Sequence, residues 1–391
     1  MPRSEPIVGL PGFETIDVAG TVEVITTGQV VQAAVCPSCR SEGPHRRKDL
    51  CRRRIRHTSI GARAHWLVIA VPKWRCRCGR HFRQRVPGVL PYQRVTEKFK
   101  EEVVERHEHG HSLSRIRDSH RISWATTERW VHQRYALRVA QQAERVAPKV
   151  LGIDEHFFTR KAGFATTFAN LVTHRVFDVQ LGRSEAALHR FLDELPGKEH
   201  TEVVLMDLSE TYRAIIQRHF PRAKIVADRF HAVRLVGHAL MEAWKQLEPT
   251  GRAHRGLVSL MRRHPDKLDP EQVVRLRAYL AEHPMVGAVY DQLQRVMRLL
   301  RHKHQNARQC RWHARHFVKV VGELEAAPMP VLQTLARTLW SWREPLARMW
   351  RFTKTNGITE GLHNKMEVIS RRAYGFRNFQ NYRLRVRALC G

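Results

Sequence analysis

The chain has 391 residues, enough for two or three domains with cores of their own, and sets 68 Lys and Arg against 37 Asp and Glu for a formal charge of +31. An excess of that size goes beyond what solubility needs and points to a polyanionic partner, most simply nucleic acid. No apolar run approaches the roughly 20 residues that span a bilayer and no signal-peptide pattern opens the chain, so no membrane partner is expected, the expected compartment is intracellular, and the seven cysteines should be thiols or metal ligands.

The cysteines come in pairs. "CPSC" holds Cys36 and Cys39, and "WRCRCGRHF" holds Cys76 and Cys78. Two cysteines on one tight turn, facing a second such turn, make a tetrahedral thiolate site for one structural Zn2+. The second pair is C-x-C rather than C-x-x-C, so Cys51, His45 or His81 is an alternative for one ligand, while Gly79 suits a knuckle turn. Between Arg40 and Arg85 stand fifteen Lys or Arg and two acids, Glu42 and Asp49. Within that run "HRRKDLCRRRIR" supplies Arg46, Arg47, Lys48, Arg52, Arg53 and Arg54 as candidate contacts to a phosphate backbone. "HWLVIAVPKW" reads as a strand leading into the second cysteine pair. Residues 1–90 thus read as a zinc-ribbon-like module that grips DNA.

After the proline-punctuated linker "PGVLPYQRVT", "EKFKEEVVERHEHG" has helical spacing and stops at Gly110. Ser112 opens a second helix, a short turn falls near Ile122 and Ser123, and a third helix runs from about Ala125 to Arg138, with Leu113, Ile116, Trp130 and Val131 as shared core. This is helix-turn-helix spacing within residues 91–148, and the third helix, with Thr126, Thr127, Arg129 and Arg134, is the candidate for the major groove. "HEHGH", His107 to His111, matches a zinc-protease pattern by letter. Gly110 and Ser112 look like a helix stop and a new cap, which breaks the single helix turn that motif needs.

From residue 150 the periodicity changes. "KVLGIDEHFF" is a strand whose apolar residues mark it as covered on both faces, although Asp154, Glu155 and His156 sit inside it. An ionised carboxylate in such a place is costly unless a positive charge meets it. Two strands follow, "FATTFANLVTH" and "RVFDVQLG", then a helix opened by Ser184, the strand "TEVVLMDLS", the helix "ETYRAIIQRHFP" and the strand "AKIVADRFH". Three strands, helix, strand, helix, strand is the order of a ribonuclease-H-like α/β fold, in which the fourth strand lies parallel beside the first. Asp154 and Asp207 then become neighbours that repel unless a cation holds them, and hard oxygen ligands beside phosphate favour Mg2+. A third ligand is expected on a later helix, "TNGITEGLHNKMEVISRRAYGFRNF". There Asn356 and Gly357 read as the start, Glu360 sits in the first turn, Ile358, Leu362 and Ile369 form the buried stripe, and Asn364 shares the face of Glu360. Spacing alone favours a simple capping carboxylate for Glu360.

That string, together with "GIDE", "DLSETY" and "ADRFH", resembles the ISL-three family of bacterial insertion-sequence transposases, and the likeness covers essentially the whole chain. The resemblance implies a cysteine-pair zinc module, a helix-turn-helix and a DDE catalytic domain in that order, with cut-and-join chemistry at the ends of a mobile element. Carried over by motif, the acidic trio falls on Asp154, Asp207 and Glu360, holding two Mg2+ (or Mn2+) ions for in-line attack by water or a 3′-hydroxyl. In "EGLHNK", His363 stands where the family more usually has Asn. "DRFH" resembles a D-x-x-H element of insertion-bearing transposases, which implies a place beside the scissile phosphate for Asp228 and His231, with Asn364 as a further neighbour of the site.

The 128 residues between "ADRFH" and Glu360 carry four segments of helical spacing and are expected to form a helical insertion. Trp340, Trp342 and Trp350 should pack on both sides of a helix that Pro345 kinks or breaks. The expected division is residues 1–90, 91–148, 149–235 (first part of the catalytic core), 236–350 (insertion) and 351–391 (a C-terminal core helix). Expected partners are double-stranded DNA, as terminal inverted repeats and target, and at least one further copy of the chain, in the bacterial cytoplasm. The alternatives are a structure-specific nuclease of the same fold and a zinc and helix-turn-helix transcriptional regulator.

Overall fold

Alternation of apolar and polar side chains builds a sheet in the first of two units, Met1–Leu137. The computed structural model describes residues 10, 13–89, 92–142, 146–352 and 357–391. The strands are β1 (Phe13–Ala19), β2 (Glu23–Val30), β3 (Arg46–Ile60), β4 (Arg63–Arg75) and β5 (His81–Arg83), ordered β1-β2-β4-β3 with β5 on β4. β4 is the strand expected at "HWLVIAVPKW". It turns Leu67, Ile69 and Val71 to one side, where they meet Leu10, Phe13, Ile55 and Val86. Gly61, at φ 61°, gives the tight β3–β4 turn its left-handed residue. β1 and β2 are not legible in the sequence, since their alternation is diluted by exposed Ile16, Val18 and Val22.

Three helices follow: α1 (Glu97–Glu108), α2 (Leu113–His120) and α3 (Trp124–Gln141). The hydroxyls of Thr96 and Ser112 cap α1 and α2 by accepting from the backbone N–H of Phe99 and Arg115. α1 ends at Glu108 and Gly110 has φ 97°, so His107 and His111 share no helix, and His107 instead meets the Tyr135 hydroxyl at 3.2 Å. Phe99, Val103, Ile116, Trp130, Val131 and Tyr135 are buried, while Leu113, expected among them, is only half-buried. Leu90 and Pro91 of the expected linker lie outside the described residues.

The second unit, Arg138–Gly391, opens with β6 (Val150–Thr159), β7 (Gly163–Asn170) and β8 (Arg175–Leu181). Then come α4 (Glu185–Glu194), β9 (Val203–Met206), α5 (Glu210–His219) and β10 (Lys224–Ala227). The sheet order is β10-β9-β6-β7-β8. β6, β7 and β8 are antiparallel, whereas β9 runs parallel to β6 (Gly152↔Leu205) and β10 parallel to β9 (Ala227↔Met206). The fourth strand therefore lies parallel beside the first, as the chain order implied. In one respect β6 departs from expectation: it is covered only through Ile153, and Phe157 is 58 % exposed. Pairing with β9 spans only Val150–Gly152, so beyond that point the strand loses a neighbour and its cover.

Helices make up most of the rest: α6 (Arg229–Leu247), α7 (Pro249–Ala253), α8 (Arg255–Arg262), α9 (Pro270–Glu282), α10 (Pro284–Arg301), α11 (Ala307–Glu325), α12 (Pro330–Ser341), α13 (Arg343–Arg351), α14 (Gly357–Arg372) and α15 (Phe379–Cys390). Capping boxes at Asp269/Gln272 and Asn306/Gln309 start α9 and α11. The four helical segments read from the sequence omit the short α7 and α8 and also α11, whose start sits in a polar run of His, Gln and Arg. The helical part has no separate core: Trp244, Leu293, Leu335 and Trp350 join the same apolar cluster as Leu151, Val204 and Ala227 of the sheet.

Trp342 and Trp350 are buried, with Trp350 Nε1 donating to the Leu299 carbonyl at 2.8 Å, but Trp340 is 46 % exposed beneath the Arg343 guanidinium. The helix breaks at Trp342, ahead of Pro345, which occupies the first turn of α13 where a missing N–H leaves no gap. The buried stripe of α14 is Thr359, Leu362 and Met366, with Ile358 and Ile369 half-buried, and Asn356 lies outside the described residues. The C-terminal segment holds two helices where one was expected. α15 is fixed to β8 by Arg383, which donates to both Asp178 oxygens at 2.7 and 2.8 Å.

The two tryptophan environments should separate on unfolding. Trp350→Ala is expected to destabilise by roughly 3–5 kcal/mol, and Trp340→Ala by no more than about 0.5 kcal/mol, measured by urea denaturation.

Candidate active site and nucleic-acid interface

The parallel register places three carboxylates at one sheet edge. Asp154 stands two residues beyond Gly152, and Asp207 and Asp228 follow directly on Met206 and Ala227, the last residues of β9 and β10. Carboxyl ends of parallel strands are where α/β sheets present their ligand sites. Asp228 also caps α6, accepting from the N–H groups of Phe230 and His231. His231 Nδ1 lies 2.6 Å from Asp228 Oδ2 and 2.9 Å from Asp207 Oδ1. Its single proton is directed at Asp228, which leaves buried Asp207 Oδ1 without a hydrogen bond. The carboxylates of Asp207 and Asp228 push His231 up to about 10, so it is a cation at neutral pH.

Asp154 is held differently. Burial, and then the charge of Asp207, pushes its carboxyl up to about 7. The start of α14 lies over this strand: a Cβ on Gly152 would sit 3.2 Å from Thr359 Oγ1 and 2.8 Å from a Leu171 methyl, so glycine allows the close approach without a shift of these neighbours. Glu360 is the next residue, exposed in the first turn, and His363 and Asn364 share its face. His363 Nδ1 lies 3.7 Å from Asp154 Oδ2.

Behind His363 runs a chain of hydrogen bonds. His363 Nε2 and His156 Nδ1 each lie 3.0 Å from Thr167 Oγ1, and His156 Nε2 lies 2.9 Å from the Tyr382 hydroxyl. Burial, and then the neighbouring His363, pushes His156 down to about 3, while burial pushes His363 down to about 4, so both rings are neutral. With Asp154 ionised, the nitrogen facing it must carry the His363 proton. Nε2 then accepts from the Thr167 hydroxyl, Thr167 accepts from His156 Nδ1, and His156 Nε2 accepts from Tyr382. The tautomer of His363 is thus set from α15, two strands away.

In the first unit the four cysteines come together. Cys36 and Cys78 sulfurs are 3.8 Å apart, Cys39 and Cys76 sulfurs 3.4 Å, and all four lie within 4.8 Å of one another. The backbone N–H of Cys39, aimed at Cys36, pulls that thiol down to about 6. The alternatives drop out: Cys51 donates to the Val71 carbonyl, His45 binds the Ala34 and Ser41 carbonyls, and His81 stands outside the cluster. The C-x-C pair reaches because Gly79, at φ 84°, closes its turn onto the Cys76 carbonyl. The cluster is able to bind zinc.

Arg46, Arg47, Lys48 and Arg52 of β3 are exposed. Arg53 donates to the Gln93 carbonyl, and Arg54 pairs with Glu23 at 2.8 Å over the Trp66 ring, so neither is free in the way the charge run implied. On α3, Arg129 and Arg134 are exposed and Thr126 is half-buried. Thr127 is a correction: it is fully buried and its hydroxyl donates to the Ser123 carbonyl, so it packs the turn and cannot reach a groove. Half-exposed Trp124 at the start of the helix was passed over.

Residues 84–135 match the helix-turn-helix domain of transposase family ISL3, and residues 151–386 match the transposase model of the same family. The chain belongs to the ISL3 family of transposases. It is also similar to the transposase for insertion sequence element IS1001 of Bordetella parapertussis, 25 % identical over 335 residues that cover 82 % of this chain and 81 % of that one. In this transposase the first match spans α1 to most of α3, and the second spans the sheet, the carboxylate edge and the helices up to α15. No helix among the described residues is long and apolar enough to cross a membrane.

The transposase carries two features that sequence reading missed. One is the His363–Thr167–His156–Tyr382 chain, which joins residues far apart in sequence. The other is an exposed face of α11 bearing Arg308, Arg311, Trp312, Arg315 and Lys319, whose three- and four-residue spacing was a legible signal. Arg229, next to Asp228, donates to the carbonyls of Leu300 and His302 at 3.1 Å and holds the turn before α11 near the carboxylate edge.

Two measurements check this geometry. Folded Asp154 keeps its proton up to about pH 7, whereas the ordinary value is 3.8, so this group lowers stability progressively as pH rises from about 4 to 7 and fully above that. Asp154→Asn should therefore stabilise the metal-free protein by roughly 2–4 kcal/mol at pH 8, with the gain vanishing below pH ~4. Above pH 7, nitrogen NMR of His363 should report the Nδ1–H tautomer, and Thr167→Val should abolish that preference; an Nε2–H tautomer in the wild type contradicts the chain.

Proposed function

We propose that the transposase cuts and joins DNA with Asp154, Asp207 and Glu360 as a carboxylate trio for two Mg2+ (or Mn2+) ions, on a ribonuclease-H-like core. The observation that carries this reading is the register that sets Asp154, two residues past the parallel β6–β9 pairing, beside Asp207 at the end of β9, with burial and then the charge of Asp207 pushing Asp154 up to about 7. The residues fit such ions. Asp207 Oδ1 is buried without a hydrogen bond, Glu360 makes no hydrogen bond or ion pair with the described residues, and an all-oxygen donor set suits Mg2+. Ions held there supply Lewis-acid activation of the attacking oxygen and neutralise charge at the scissile phosphate.

The chain's own groups do the rest. Cationic His231, fixed between Asp207 and Asp228, presents positive charge to the phosphate, and Asn364 offers an amide beside Glu360. Water attacks phosphorus for end cleavage and frees a 3′-hydroxyl. That hydroxyl then attacks a target phosphodiester, whose own 3′-oxygen leaves. No tyrosine is needed as nucleophile: Tyr212 is buried against Thr166 and Tyr374 stands exposed. α3 is read as the groove-reading helix with Arg129 and Arg134, Arg46, Arg47, Lys48 and Arg52 as phosphate contacts, and the cysteine cluster as a structural zinc site. Terminal inverted repeats and target DNA are the substrates, and pairing two ends calls for at least a dimer, acting in the bacterial cytoplasm.

Asp154→Ala, Asp207→Ala and Glu360→Ala should each lower cleavage of terminal repeats by roughly 100-fold or more while leaving repeat binding within about twofold. Cleavage at the normal rate in any of the three defeats the assignment. Pre-cut ends with free 3′-hydroxyls and a target plasmid should give joined product, which a simple nuclease would not.

A further inference from the structure

α4 and α5 meet at a cluster that the cut-and-join chemistry does not use. His189 and Asp193 stand one turn apart on α4, and His219 is the last residue of α5. His189 Nε2 lies 3.1 Å from Asp193 Oδ2, His219 Nδ1 lies 3.4 Å from Asp193 Oδ1, and one donor atom from each residue lies within 4.8 Å of the others.

His219 is the anomaly. Its ring is buried, its Nε2 has no partner, and its Nδ1 makes no hydrogen bond, only the 3.4 Å approach to Asp193. Buried polar atoms are nearly always hydrogen-bonded, and leaving an imidazole without any bond is unfavourable unless something else occupies it. Burial also holds His219 below its ordinary value, so it is neutral and offers a lone pair.

The distances are compatible with an ion. Ligands bound at about 2.0–2.1 Å around tetrahedral Zn2+ stand roughly 3.3–3.4 Å apart; His189 Nε2 lies 3.1 Å from one Asp193 oxygen and His219 Nδ1 3.4 Å from the other, and one donor atom from each residue falls within 4.8 Å of the others. Two imidazoles and one carboxylate select zinc or a similar late first-row ion over Mg2+ or Ca2+, which take oxygen. The carboxyl end of α5 adds the negative pole of a helix dipole. Among the charges that face the cluster, Lys198 opposes a cation, but its ammonium donates to the Leu192 and Asp193 carbonyls, and Arg218 is paired with Glu185. His189 and Asp193 are half-exposed, which gives an ion access and leaves a fourth position for water.

We propose that His189, Asp193 and His219 form a three-ligand site for Zn2+ or a similar late first-row divalent ion, clamping the C-terminal end of α5 to α4. The site is separate from the cysteine cluster, and α5 begins three residues past Asp207, so the clamp holds that helix at its far end.

Zinc content of the full-length chain tests it. After equilibration with micromolar Zn2+ in millimolar Mg2+ and desalting, elemental mass spectrometry should find one more zinc in wild type than in His189→Ala/Asp193→Ala. Both changes are at accessible positions, and any zinc at the carboxylate edge or the cysteines cancels in the difference. Zn2+ should also raise the unfolding midpoint of wild type more than that of the double variant. Equal zinc content in the two proteins overturns the site, whatever the outcome of the cleavage experiments.

Discussion

Two carboxylates set side by side where the parallel pairing of β6 and β9 ends repel one another, and the surrounding elements of the second unit meet that repulsion in different ways. The register of β6, β9 and β10 leaves no choice about where Asp154, Asp207 and Asp228 fall, because each is the first or second residue past the last paired position. What differs is how each is met. Asp228 is satisfied by the first turn of α6 and by His231, Asp207 is met at one oxygen only by a ring whose proton points elsewhere, and Asp154 is left close to half-protonated at neutral pH.

The surrounding elements hold that edge from several sides. α14 lies on β6 over Gly152 so that His363 arrives beside Asp154, and the hydrogen-bond chain through Thr167 and His156 ties His363 to α15. Arg229 anchors the turn that precedes α11, and the helical segments share one apolar cluster with the sheet. These helical segments are therefore packed into one core with the sheet that carries the carboxylates.

The first unit solves a different problem with the same economy of contacts. Beside a small sheet with a modest core, four sulfurs come together with Phe82, Ala34 and Trp74 packed against them, and the long basic strand divides its charge. Arg53, Arg54 and Arg56 are engaged within the protein, on a carbonyl, a surface carboxylate and an aromatic ring, whereas Arg46, Arg47, Lys48 and Arg52 make no such contacts among the described residues and face outward.

Much of this was legible in the sequence because it is local. The strand and helix order from residue 150, the caps at Ser112 and Ser184, the cysteine pairs and the helix-turn-helix all follow from spacing within a few turns of chain, and the family likeness singled out Asp154, Asp207 and Glu360. Local spacing also misled: it marked β6 as covered throughout, gave Thr127 to the groove and placed the helix break at Pro345, since burial depends on which neighbour stops where. The partnering of His363 with Thr167 and of Tyr382 with His156, the orphaned oxygen of Asp207, and the meeting of His219 with α4 join residues that lie from 26 to 226 positions apart. Sequence alone determined which elements form and which residue types they carry. Only the tertiary structure decided which side chains face one another and which are left unpaired, because contacts across such spans are chosen by strand register and helix packing, and neither is written in any local period.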